Sequence, residues 1–298
     1  MPVQARAATV NRDMLGEGIL WDDRTQEIVW VDILKGAINR GMLLDDEVTV
    51  KSTVTLDGYV GAVALSEDGG MIAAGTRSLI SISAEGAVST GPDLLGDRTD
   101  VRWNDGAVDP HGRFVVGSLS LKDPDRQEIL LRIAPDGRRE VLRSGISLSN
   151  GVAFSPDDQT IYHVDSLTGT VSSHSYGPGD FDQHEAWTTV IADFEGIPDG
   201  LTVDANGNLW IAEWGVGAVR QFTPDGTVLK EVNVNAAQTT CPGFVGVNLD
   251  VLAITSATTG LAHPERDESG FLHLANPGAT GRQTPRWAGS TRSPYWNP

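Results

Sequence analysis

Short apolar runs, cut apart by Gly, Asp, Asn and Pro, recur along the whole chain: EIVWVDI, MIAAGT, RFVVGSL, TIYHVDS, NLWIAEW and VLAITSA. Their shortness and their wealth of Val, Ile, Trp and Tyr predict strands. Between such runs stand Asp68-Gly69, Asp136-Gly137, Asn206-Gly207 and Asp225-Gly226. An Asx-Gly pair between apolar runs predicts a hairpin, because both residues tolerate positive φ. No segment sustains a 3.6-residue apolar period over three turns, which argues against a helical solenoid.

One unit reads clearly from Gly200 to Val232: GLTVDANG, NLWIAEWGVG, AVRQFTPDG and TVLKEV in succession. Four antiparallel strands in a meander make one propeller blade. The stretch from Gly106 to Leu142 has the same order, with an insertion at SLKDPDRQ. A glycine that opens an apolar run recurs about every 45 residues, at Gly18, Gly61, Gly106, Gly151, Gly200 and Gly246, and such a period marks one repeated supersecondary unit. The prediction is an all-β fold: a six-bladed β-propeller of four-stranded antiparallel blades, one domain over residues 1–298. The two ends of the chain are expected to pair in one blade, which covers exposed strand edges. The segment after Ala262 is expected to carry the last strands, interrupted at HPERDESG.

In a radial array, the residue before each recurring glycine lies near the axis. Those residues are Glu17, Val60, Asp105, Asn150, Asp199 and Val245. Three carboxylates and an amide, far apart in sequence, are thus expected at one spot. Glu17, Asn150 and Asp199 offer two anionic oxygens and a neutral one, a set suited to one divalent cation such as Ca²⁺, Mg²⁺, Mn²⁺ or Zn²⁺. An Asx-Gly pair alone is also an ordinary turn, but Glu17 is not a preferred turn residue. Arg102, Asn104 and Asp105 bunch before the third unit's first strand and are expected to border the same pocket, as substrate-binding residues. Arg102 offers a planar fork of donors for sugar hydroxyls or a carboxylate; its competing use is an ion pair with Asp97 or Asp100.

Composition narrows the partners. Asp and Glu number 40 against 22 Lys and Arg, a formal net charge of −18. That argues against nucleic acid and anionic membrane surfaces. No apolar run is long enough for a membrane span and the N-terminal stretch lacks a signal-peptide core. A soluble, cytoplasmic protein is expected; the sequence does not set its oligomeric state. The single cysteine, Cys241, permits no internal disulfide and reads as a buried small residue. The six histidines show no paired-ligand spacing. Serine elbows and Gly-rich phosphate loops are also lacking, so serine-esterase and nucleotide chemistry have no support.

The ordered segments LGEGILWDD, VDILKGAINR, RWNDGAVDPHGRFVVGSL, SNGVAFSPDDQTIYHVDS and IPDGLTVDANGNLWIAEWGVGAVRQFTPDG resemble the SMP-30/gluconolactonase/LRE family over roughly residues 12–280. The resemblance implies a six-bladed propeller with one axial divalent metal ion, held by Glu17, Asn150 and Asp199. It further implies Asp199 as general base, and Arg102 and Asn104 as substrate-binding residues. The chain departs from the family at Gly18-Ile19, at Ser118–Leu121 and at Cys241–Gly246, so the pocket wall differs. The implied function is metal-dependent hydrolysis of a sugar lactone to a hydroxy acid. The alternative is a non-catalytic propeller that binds a divalent cation or a protein.

Overall fold

The computed structural model describes residues 3–122 and 126–296. They form six sheets around an axis, and the innermost strands are Gly16–Asp22, Ala62–Leu65, Val101–Val108, Ser149–Phe154, Ile197–Val203 and Thr239–Val245. From each, hairpins carry the chain outward. In the fifth blade Ile197–Val203 is followed by Leu209–Trp214, Ala218–Phe222 and Val228–Asn233. Every innermost strand packs on that of the next blade, and the sixth packs on the first, which closes a six-bladed β-propeller. Among the described residues the helical pieces are two 3-10 turns, Ser166–Thr168 and Pro264–Arg266. The expected insertion at 120–127 falls partly outside the described residues.

Six apolar clusters hold the ring, one between each pair of neighbouring blades. Ala62, Leu79, Trp103 and Phe114 join the second and third blades; Trp210, Val219, Phe244 and Leu252 join the fifth and sixth. A middle strand is therefore covered on both faces, and Glu27–Asp32 is buried at five successive positions. This is why such runs are continuously apolar rather than alternating.

The recurring glycine is a packing requirement. A Cβ on Gly61 would stand 2.3 Å from the Asn104 carbonyl oxygen, one on Gly151 2.8 Å from that of Asp199, and one on Gly200 2.7 Å from that of Thr240. Each is the innermost strand of the following blade. At the same height, five innermost strands set two residues against one: Gly18-Ile19, Asn104-Asp105, Asn150-Gly151, Asp199-Gly200 and Thr240-Cys241. Such bulges re-aim side chains. They also correct the frame read from sequence. Asn104, not Asp105, is the counterpart of Asn150 and Asp199, and the sixth blade presents Thr240 in place of Val245. Gly246, at φ +88°, belongs to the following turn.

The ring is locked by the N-terminal segment. Arg6–Ala7 adds the fourth strand to the sixth blade beside His273–Ala275, and Val3–Gln4 adds a fifth, parallel strand to the fifth blade. Among the described residues past Ala262 there is one strand, not several, because residues 276–296 leave the sheet and cross the lower face. They meet the first hairpin loop of all six blades in turn. The Thr280 carbonyl accepts from Ala205 N and Gly281 N donates to Leu249 O. Arg282 reaches Ser155 O and Asp158, and Arg286 reaches Asp22. Trp287 N donates to Leu65 O, and Ala288 N to Gly112 O.

Candidate functional site

The upper ends of the innermost strands enclose a cavity of about 270 Å³ on the axis. Glu17, Arg102, Asn104, Asn150 and Asp199 all line it, so five of the six residues singled out from sequence come together. Asp105 does not. As the second residue of its bulge it lines a separate cavity below the plane, with Cys241 and the tail residues 282–285. There its Oδ1 accepts from Gly106 N at 2.7 Å.

The polar groups of the upper cavity are tied to one another. Arg102, 5% exposed, donates through Nη1 to the Trp103 carbonyl and to Asn104 Oδ1, both at 2.8 Å. Asn104 Nδ2 donates to the Ser149 carbonyl at 2.9 Å. Asn150 Nδ2 donates to Asp199 Oδ1 and to Ser166 Oγ. Behind this layer, Arg143 Nη1 lies 2.9 Å from His163 Nδ1, and His163 Nε2 lies 2.8 Å from Ser149 Oγ. An arginine only donates, so Nδ1 accepts and Nε2 carries the proton. His163 is held neutral by burial and then by Arg143. It steadies Ser149 and has no free basic nitrogen for that hydroxyl.

Charge in the site is unbalanced. Burial, then the neighbouring carboxylates, push Glu17 and Asp199 well above the usual carboxylate range. Burial pushes Asp105 up to about 6. Burial brings Arg102 down to about 10, and its pull on Glu17 is the weakest influence there. Among the described residues no three His, Cys, Asp or Glu side chains converge as a metal site; the set here is two carboxylates and an amide. One atom shows what that set fits. Asn150 Oδ1 is buried and has no hydrogen-bond partner. An orphaned amide oxygen in a cavity that two carboxylates also line suits a cation rather than another acceptor.

The same cavity holds residues that the axial period did not flag. Ile33 and Ser166 directly follow second strands of their blades, Trp214 ends one, and Thr259 comes three residues after another. Reading the residue after each second strand would have found Ile33 and Ser166. Cys241 is buried below the plane, its thiol pushed well above its usual range by burial and then by Glu17 and Asp105. It is a packed residue, as its sequence context suggested.

A six-bladed propeller with a pocket of mixed polarity at the upper end of its axis defines the class of this chain. The comparisons name the group within that class. The model of the SMP-30/gluconolactonase/LRE-like region matches residues 15–258, and the chain belongs to this family. It is 32% identical to the 6-deoxy-6-sulfogluconolactonase of Pseudomonas putida, over 93% of this chain and 96% of that one. It is 30% identical to the L-arabinolactonase of Azospirillum brasilense, over 97% of each. Among solved structures, a calcium-binding protein, regucalcin, from Agrobacterium tumefaciens superposes with a TM-score of 0.86 at 27% identity, covering 96% of this chain and 98% of that one.

Proposed function

We propose that the chain opens sugar lactones to hydroxy acids with the help of a divalent cation. The observation that carries this reading is the unpartnered Asn150 Oδ1 beside Asp199 at the axial end of a small cavity. Glu17, Asn150 and Asp199 would hold the cation. Bound there, it supplies Lewis-acid polarisation of a carbonyl oxygen. Arg102 holds the substrate's ester end, its guanidinium fixed in place by Asn104. Asp199 takes a proton from the water that adds to the carbonyl carbon, as a carboxylate within reach of that water can. The ring C–O bond then breaks, the ring oxygen takes up a proton and the acid is released. The relatives named as lactonases support this reading. A cytoplasmic site of action goes with it. Among the described residues no helix is long and apolar enough to cross a membrane.

The test is proton release from a panel of γ- and δ-lactones in a weakly buffered solution, with chelator and then with Ca²⁺, Mg²⁺, Mn²⁺ or Zn²⁺. About one proton should appear per turnover at neutral pH, since the product acid ionises. Chelator should stop the release and a cation should restore it. Silence with every lactone and every cation would leave the non-catalytic cation-binding propeller in its place.

A further inference from the structure

The upper cavity is lined by polar and apolar residues in equal number. Seven of its fourteen lining residues are apolar, among them Leu119, Leu148, Leu167, Ile197 and Trp214. Of the seven polar ones, Arg102, Ser166 and Thr259 remain for a substrate. Glu17, Asn150 and Asp199 form the cation set, and Asn104 has both ends of its amide engaged. The residue directly across the strand pair from Arg102 is Leu119, which offers no acceptor. The apolar wall continues outward, where Leu167 and Ile197 line the cavity yet are 48% and 43% exposed. Single exposed apolar residues are commonplace. Two at the mouth of one apolar-walled cavity form a continuous surface that a ligand can cover.

Resting on the lactone-hydrolase reading above, we propose that the preferred substrate is a hydroxyl-poor lactone, a deoxy or alkyl-substituted γ- or δ-lactone. The ester end lies at Arg102 and the aliphatic arm lies along Leu119, Leu148, Leu167, Ile197 and Trp214. A fully hydroxylated aldonolactone would bury hydroxyls against this wall without partners. Each such hydroxyl costs roughly a factor of ten in transition-state binding.

The experiment compares kcat/KM for γ-octalactone, L-arabinono-1,4-lactone and D-glucono-1,5-lactone in the cation-loaded protein. The alkyl lactone should exceed both sugars by roughly tenfold or more. Leu119→Gln and Ile197→Ser should each lower the alkyl-to-sugar ratio by at least about fivefold; thermal melting shows that each variant is folded. Ile197 is partly exposed, so its variant keeps the core intact. A sugar lactone preferred over γ-octalactone overturns the inference and leaves lactone hydrolysis standing. A ratio unmoved in both folded variants also overturns it. If no lactone of any kind turns over, the lactone-hydrolase reading itself falls, and this inference with it.

Discussion

Asn150 Nδ2 donates to Asp199 Oδ1, and that bond turns the other end of the amide, Oδ1, to a buried position without a donor. The two residues come from different blades, 49 positions apart, and meet because each is the first residue of a bulge at the same height. A ligand that binds only the folded site stabilises the fold by mass action, about 2.7 kcal/mol at one hundred times Kd. Saturating Ca²⁺ or another fitting divalent ion should therefore raise the melting temperature by about 5 °C over the chelated protein. Asn150→Ala should lose most of that rise. Scanning calorimetry that shows equal melting with cation and with chelator would remove the cation from the site.

Asp199→Asn keeps an oxygen in place and deletes the base. Its kcat should fall on the order of 10²–10⁴-fold. Arg102→Ala should act chiefly on KM, because Arg102 holds substrate and takes no proton. Steady-state kinetics on one lactone separate the two effects. An Asp199→Asn enzyme of full activity would transfer the base role elsewhere.

The axial glycines give a stability prediction. A Cβ on Gly200 would lie 2.7 Å from both the Cys241 Cα and the Thr240 carbonyl oxygen. Backbone cannot swing aside as a flexible side chain can, so Gly200→Ala should cost about 2–3 kcal/mol. Gly177→Ala meets nothing within 4 Å and should stay within about 0.5 kcal/mol of the parent. Urea unfolding of the pair measures the contrast, and equal costs would refute the packing role.

Asp13 carries a pH prediction. Its carboxylate accepts from Trp30 Nε1 at 2.9 Å, and burial, then Asp32, push it up to about 7 from an ordinary 3.8. The folded state therefore holds this proton more tightly than the unfolded chain. The contribution is complete below pH 4 and is lost as pH rises through 7. Asp13→Asn leaves an oxygen for Trp30 and removes the charge. Allowing for its partial exposure, the variant should gain about 2 kcal/mol at pH 8 and little at pH 4. Denaturant midpoints at the two pH values check this; a gain of equal size at both would rule out the Asp13 proton as the cause.

The blade count, the strands and most of the axial set were legible because they follow a period. Gly61, Gly151 and Gly200 repeat for one steric reason, and the residues before the last two fall on the axis with them. The same rule misled at Asp105, because the third blade's bulge spans Asn104-Asp105 and its glycine sits one place later. A bulge is set by pairing between strands, which a run of apolar residues does not record. The greasy wall was hidden for a related reason. Leu15, Ile33, Leu119, Leu148 and Trp214 stand at the ends of separate strands and look, in sequence, like core residues.

The tail from 276 to 296 touches the first hairpin loop of every blade. In a repeat architecture each unit binds only its neighbours, and the array can fray one unit at a time. Here a single strand of chain is laced through the underside like a cord drawn through six eyelets. A blade that loosens must slip the cord as well as its two neighbours, so local failure is referred to the whole wheel. The expected signature is one sharp melting transition for all six blades, with Trp287, 2% exposed in the core between the second and third blades, as the knot.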